Sequence, residues 1–407
     1  MAKKNLKAKS KPKKEKKKTA KKTKKTKTAK TAKTTKTTKT TKETTKTKKK
    51  RNIQKTETTK NQIKNEKNHH KFILCSALGF DDILSKVIPL RNGKYGVLNE
   101  SGDFIIFTIN EKKEMVIDLS FQFLGSNLFC QLGNGIFVFN SFNYISFWEL
   151  EGKKMNKLGE YKTIFGLVTY FMEPINDNFC AISGPNDIIE IIQFDKKKKN
   201  TVTYLDYKKS KSRHKKNENP LFMLSAEGVG CLYYQKKNNR LLASYFNNKL
   251  RVWNCDFSNN KYELFKEIED VTNFKGKIIH ELNNKILVGG KDVITILNND
   301  NYEIIDFVDL GNYDYDIFSM EVIKYYNFKE FVVCGLRNGR ILGVDIGKKK
   351  IEFNKKKIND TGKDNEINFK DGKVTFYGEN ISYITKVDNT NMILVASHDH
   401  TLKLFEY

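Results

Sequence analysis

The sequence predicts an all-β fold: a seven-bladed β-propeller closed by an N-terminal strand and preceded by a disordered, Lys/Thr-rich arm. Three observations predict it. A unit of apolar strand, tight polar turn and alternating strand recurs seven times after residue 70. A bulky residue near the end of each unit's second strand forms a column at blade-like spacing. One leftover strand stands before the first unit.

The arm is residues 1–70. It holds 29 Lys and Arg against the four acids Glu15, Glu43, Glu57 and Glu66, a net charge of +25 out of the chain's +28. The other 337 residues carry 46 basic and 43 acidic side chains. The chain is therefore a nearly neutral body with a strongly basic extension. Between Leu6 and Ile53 there is no Leu, Ile, Val or aromatic residue. Nothing there buries enough apolar surface to offset ordering entropy, and like charges repel. Lysines that neutralise phosphates release counterions, which gives sequence-independent, salt-sensitive affinity for nucleic acid. The candidate contacts are Lys13, Lys14, Lys16, Lys17, Lys18, Lys21, Lys22, Lys24, Lys25, Lys48, Lys49, Lys50 and Arg51. No aromatic is interleaved with them, so base stacking is not offered.

The body follows as residues 71–407. Its hairpins read KYGVLNESGDFIIFTI (94–109), GIFVFNSFNYISFWEL (135–150), FCAISGPNDIIEIIQF (179–194), RLLASYFNNKLRVWNC (240–255), KILVGGKDVITILNND (285–300), EFVVCGLRNGRILGVD (330–345) and MILVASHDHTLKLFEY (392–407). The column is Phe107, Trp148, Ile192, Trp253, Leu297, Val344 and Phe405, at intervals of 41, 44, 61, 44, 47 and 61. Four intervals match the roughly 40–45 residues of a four-stranded blade. The two long ones contain insertions, YKKSKSRHKKNENP (207–220) and a stretch within 351–373. The blades expected are 81–120, 121–161, 162–207, 220–269, 270–310, 311–358 and 374–407. The last stops after its third strand, and KFILCSAL (71–78) is the strand that completes it, removing two open edges.

Several of these hairpins resemble the WD40 repeat, whose end runs S-x-D-x-T-apolar-basic-apolar-aromatic. ASHDHTLKLFEY places Asp399 at the turn acid, Thr401 at the next strand's opening and Phe405 at the tryptophan position. NNKLRVWNCD gives Asn247 at the turn and Trp253 in place. RNGRILGVD gives Asn338–Gly339 as the turn and Val344 at the aromatic position. Trp148 is the other tryptophan of the column. No Gly-His or Trp-Asp dipeptide occurs, so most of the family's His–Ser/Thr–Asp–Trp hydrogen-bond network is missing. Apolar packing between blades is then expected to carry more of the stability. The resemblance implies a non-catalytic scaffold that binds proteins through its faces.

Other classes fit poorly. There is no apolar run of about 18 residues to span a membrane. No apolar stretch follows the basic N-terminus as in a secretory signal. Six separated cysteines, without a C-x-x-C pair, are expected to be buried free thiols. Phosphate-binding, dinucleotide, zinc-hydrolase and serine-hydrolase motifs are all absent, so no catalytic residue, metal or cofactor is expected. His398 and His400 flank Asp399, but in a tight turn that acid is expected to bond local backbone N–H groups.

The surface offers more. The turns between third and fourth strands, EKKE (111–114), EGKK (151–154), DKKKKN (195–200) and IGKKK (346–350), put lysines on one rim. The inter-blade connections open on the opposite face. There 267–270 and 306–316 are acidic and the 208–216 insertion is basic. The candidate basic surface is Lys196, Lys197, Lys198, Lys199, Lys208, Lys209, Lys211, Arg213, Lys215, Lys216, Lys348, Lys349 and Lys350. Tyr313, Tyr315 and Phe318 are candidate protein anchors. Two readings follow. One is a scaffold, monomeric within a larger nuclear or nucleolar, RNA-associated assembly, whose arm contacts RNA or another polyanion. The other is a cytoplasmic adaptor for ubiquitin-ligase, cytoskeletal or trafficking complexes.

Overall fold

The computed structural model describes residues 72–166, 168–185, 187–196, 200–205, 228–272, 278–311, 316–325, 328–355, 366–367 and 380–407. Almost all of the regular structure is strand; two three-residue 3-10 turns, Arg91–Gly93 and Lys236–Asn238, are the helical elements among the described residues. Six antiparallel sheets have four strands each, taken in chain order. The first blade, for example, is Leu84–Pro89, Tyr95–Asn99, Asp103–Ile109 and Met115–Gln122. The first strands of neighbouring blades pack against one another around the axis.

The seventh sheet runs Ile381–Val387, Met392–Ser397, Thr401–Glu406 and then Phe72–Gly79. The N-terminal strand thus closes the ring, pairing antiparallel from Ile73 opposite Glu406 to Gly79 opposite Thr401. A second mark identifies it as a genuine fourth strand. In the first, second, fourth, fifth and sixth blades one extra residue bulges from the outer strand beside the column residue: Asp118, Leu158, Phe265, Ile305 and Glu352. Cys75 bulges at the matching place, between Leu74 opposite Phe405 and Ser76 opposite Leu404. A bulge twists and bends the strand locally, and here it recurs at the same register in six sheets.

Each column residue sits opposite an apolar partner on the second strand: Tyr95–Phe107, Phe137–Trp148, Cys180–Ile192, Leu241–Trp253, Ile286–Leu297, Val332–Val344 and Ile393–Phe405. Six of the seven are buried; Trp148 is half-buried. The core lies between blades, as in the Phe104, Phe123, Phe129, Phe137 and Phe139 cluster joining the first two. Five of the six cysteines are buried and none is disulfide-bonded, and burial pushes Cys130 and Cys255 up to about 12.

Within 351–373 the first residues belong to the sixth blade, as its expected bounds of 311–358 allow. Lys350–Lys355 is the outer strand of the sixth blade, where Ile351 and Phe353 alternate with polar residues. Glu366–Ile367 then pairs with Phe72 and Ile73, adding a fifth strand to the seventh sheet that the repeat pattern does not call for. The other insertion, 207–220, lies outside the described residues.

Candidate functional site

The strand order fixes two faces. Turns joining first to second and third to fourth strands lie on one; turns joining second to third, and the connections between blades, lie on the other. Phe72 pairs beside Ile73 and Glu406, at the end of the closing strand away from the 398–400 turn. Phe72 therefore lies toward the face of the third-to-fourth-strand turns.

Those turns lie on one rim, and four of their described lysines are ion-paired. Lys113 pairs with Glu406 at 2.5 Å and Lys196 with Glu149 at 2.6 Å. Lys348 reaches Asp345 at 3.3 Å, and Lys349 pairs with Asp306 of the fifth blade. Lys350 is exposed. The acidic stretches are likewise engaged. Glu267 binds Arg251 at 2.6 Å and Lys249 at 3.1 Å, and Glu269 binds Lys249 at 2.6 Å. Phe318 is half-buried. All the arm candidates from Lys13 to Arg51, Lys197, Lys198, Lys199, the 208–216 residues, Tyr313 and Tyr315 lie outside the described residues.

The repeat-end residues hold the turns. Asp399 Oδ1 accepts from the Thr401 amide at 3.0 Å and from its hydroxyl, and Oδ2 pairs with the buried Lys403 at 2.6 Å. The acid thus bonds local backbone as its position implied, and among the described residues no three potential ligands gather to hold a metal. Asn338 Oδ1 accepts from the Arg340 amide, and Gly339 takes a φ of 74°. Asn247 lies in the turn between Ser244 and Leu250, and Asn248 after it takes the left-handed φ of 67°. Trp253 is buried, and the half-buried Trp148 donates its indole N–H to Ser146 at 2.9 Å. Asp399→Ala takes the carboxylate away from a buried ammonium and should cost about 2 kcal/mol or more. Chemical denaturation checks this, and Asp399→Asn, which keeps the turn acceptor, should cost less.

A polar system at the axis escaped sequence reasoning. Lys86, on the first blade's innermost strand, is buried and donates to the Met172 carbonyl of the third blade at 3.2 Å, crossing the hub past the second. Its ammonium lies over Phe171 and Tyr383 at 5.3 and 6.0 Å from the ring centres. Glu173 accepts from the Tyr234 amide at 3.0 Å. His280 reaches Glu321 at 3.5 Å, Tyr233 donates to Glu281 at 3.3 Å, and Asn299 donates to the other Glu281 oxygen at 3.0 Å. Gln235 joins Asn299, and Tyr302 donates to Gln235 at 2.5 Å. Glu321 accepts from the Lys386 amide at 3.1 Å, linking the sixth and seventh blades. Burial raises Glu173 to about 7 against the nearby charges of Lys86 and His280, and burial lowers Lys86. Burial opposes protonation of His280, but the Glu321 carboxylate outweighs it and raises the histidine. The signal was present: an isolated charged residue interrupts otherwise apolar first strands, as in LSKVIP, FMEP and IIHEL.

The inter-blade face has an apolar feature of its own. Leu124, Phe142 and Ile164 are 68 %, 57 % and 49 % exposed. All three are displayed by connections that are firmly bonded beneath. Ser141 Oγ donates to the Leu124 carbonyl, and buried Asn140 accepts from the Asn127 and Leu128 amides. Buried Glu190 accepts from the Ile164 amide, the Thr163 hydroxyl and the Tyr161 hydroxyl.

No protein-family model matches the sequence, and no curated protein matches it either. Solved structures do match by shape. The WD40 β-propeller domain of Doa1 aligns with a TM-score of 0.57 and 11% identity, over 82% of this chain and 97% of that one. The β-propeller domain of Cps50 (Swd1) from Myceliophteria thermophila aligns at 0.60 and 11%, over 83% and 99%. At such identity it is the fold that is shared, and the chain is a seven-bladed β-propeller of the fold seen in these WD40 domains.

Proposed function

We propose that this protein is a non-catalytic scaffold that binds proteins through its propeller faces and contacts RNA through its basic arm, within a nuclear or RNA-associated assembly. The observation that carries this is the charge split, +25 on residues 1–70 against +3 on the rest. The rim lysines support an arm-centred reading over a propeller-centred one, because Lys113, Lys196, Lys348 and Lys349 are each ion-paired with an acid of the body. One fold hosts many functions, and the reading rests on charge and surface rather than on shape.

The test is binding of the full chain to duplex DNA and to RNA across a salt series. On duplex DNA the log–log slope should be about −0.9 per phosphate contacted. Deleting residues 1–60 should remove most of the affinity and leave the melting temperature of the body unchanged. Undiminished binding by the truncated chain transfers the site to the propeller. A pull-down with and without nuclease, together with imaging of both forms in cells, separates this from the cytoplasmic adaptor: two forms that stay cytoplasmic and keep the same partners after nuclease support the adaptor.

A further inference from the structure

Each of the seven innermost strands carries a titratable side chain into one cluster at the axis. Its charged members are Lys86, Glu173, His280, Glu281 and Glu321. Cys130, Cys231, Tyr233 and Tyr383 face them from the second, fourth and seventh blades. Packing alone has no use for such groups, since burying them is costly unless they are paired. The cluster is not sealed. His280 and Glu321 keep 26 % and 17 % of their side-chain surface accessible, and Glu173, Tyr233 and Tyr383 are half-buried, so water has room beside them. Glu173 is the least supported member. A carboxylate offers about four acceptor positions, and among the described residues the Tyr234 amide is the one donor bonded to it.

Burial pushes Cys130 up to about 12 and raises Cys231, Tyr233 and Tyr383, so these four stay neutral at pH 8. Glu173 and His280 lose protons as pH climbs. Burial holds Glu173 up to about 7; burial opposes the His280 proton, and Glu321 outweighs it. With both protons in place, the cations Lys86 and His280 face the carboxylates Glu281 and Glu321, and the cluster is balanced. Without them, Lys86 alone faces the three carboxylates Glu173, Glu281 and Glu321. Burial lowers Lys86, so any proton lost there moves the charge the same way. Like charges held close in a low-dielectric interior repel strongly.

The strands that meet in this cluster lead directly to the turn face. Pro174 ends the third blade's inner strand, Gln131 ends the second's, and Lys236 follows the fourth's. All three line one cleft of about 620 Å³, together with Gly133 and residues 175–179. We infer that the axial cluster is a proton-operated latch: proton loss from Glu173 and His280 leaves unbalanced carboxylates at the axis, draws in water, loosens the innermost strands of the third to sixth blades and reshapes the cleft. The latch acts inside the folded body, through native-state openings of a few strands. It does not depend on the arm or on what the arm contacts.

Amide hydrogen exchange of the full chain, read by mass spectrometry at about pH 6 and pH 8 and corrected for intrinsic exchange, tests this. Protection of Phe171–Pro174, Val229–Gln235, Ile278–Leu282 and Ile317–Tyr325 should fall about tenfold more than that of third strands such as Asp103–Ile109 and Tyr144–Glu151, tenfold being the factor of one pKa unit. In Glu173→Gln most of that excess should vanish. An equal fall in all strands would mean that the titration acts on global unfolding alone, and overturns the latch. Inner strands whose protection does not change, or an excess that Glu173→Gln keeps, overturn it too. Should the variant not fold, the wild-type contrast between inner and third strands still decides.

Discussion

A chain beginning at residue 81 should fail to fold stably, whereas one beginning at residue 71 should melt like the full-length protein. The ten residues between them include the whole strand Phe72–Gly79, the outer strand of the seventh sheet. Its loss uncovers the backbone edge of Thr401–Glu406 and removes Phe72, which is buried against Phe405 and Tyr407 at 6.5 and 5.8 Å between ring centres. It also cuts ties to the first blade, since Ser76 Oγ accepts from the Met115 amide. Burying one Phe contributes roughly 2–3 kcal/mol, and each ladder hydrogen bond about 1 kcal/mol. The sum is comparable with the whole stability of a typical domain, about 5–15 kcal/mol. Thermal unfolding of the two truncations measures the difference. Phe72→Ala in the full chain offers a milder check, expected at about 3–5 kcal/mol. Equal melting temperatures for the two truncations would falsify ring closure by this strand.

What the sequence disclosed and what it withheld divide along the range of the interactions. The column from Phe107 to Phe405 was legible because repetition supplies seven readings of one local pattern, and because period-2 alternation says which residues face inward. The closing strand was legible by subtraction, since the last repeat ended one strand short. The compensation of Lys349 by Asp306 was not, because it joins a turn of one blade to the outer strand of another, and nothing local pairs them. The same holds for Lys86 and Met172, 86 positions apart. The missing His–Ser/Thr–Asp–Trp set pointed to apolar packing carrying more of the stability between blades. In fact a separate polar chain from Tyr302 through Gln235, Asn299, Glu281, Tyr233, His280 and Glu321 ties the fourth to seventh blades near the axis. Hydrogen bonds are directional, so polar links of this kind favour one register where apolar contacts alone tolerate slippage. Phe142 was missed for another reason: an aromatic in a hairpin turn looks like strand until its φ is known.

That hub makes the body's stability fall as pH rises from 5 to 8. In the unfolded chain Glu173 releases its proton near the ordinary value of 4.5, whereas in the folded chain it holds it up to about 7. Between those values the folded state binds more protons, so stability declines with rising pH until the carboxyl is ionised in both states. His280 acts in the same direction. Its folded value is raised, so the stability it lends is complete below about 6.5 and is lost as pH climbs through the folded value. At about 1.4 kcal/mol per unit, Glu173 accounts for at most about 3.5 kcal/mol, and less to the extent that water enters the axis. Around it stand Lys86, the Tyr234 amide, His280, Tyr383, Cys231 and Glu321. Burial lowers Lys86, and a lowered lysine contributes a slope of the opposite sign. Glu173→Gln keeps an acceptor for the Tyr234 amide and removes the titration. The variant should therefore melt higher than wild type at pH 8, match it near pH 5, and show a shallower decline between, with the residual slope belonging to His280. Parallel curves for variant and wild type would mean that the Glu173 carboxyl ionises in the folded protein as readily as in water, and that the axis is wetter than the packing of Lys86, Phe171 and Tyr383 implies.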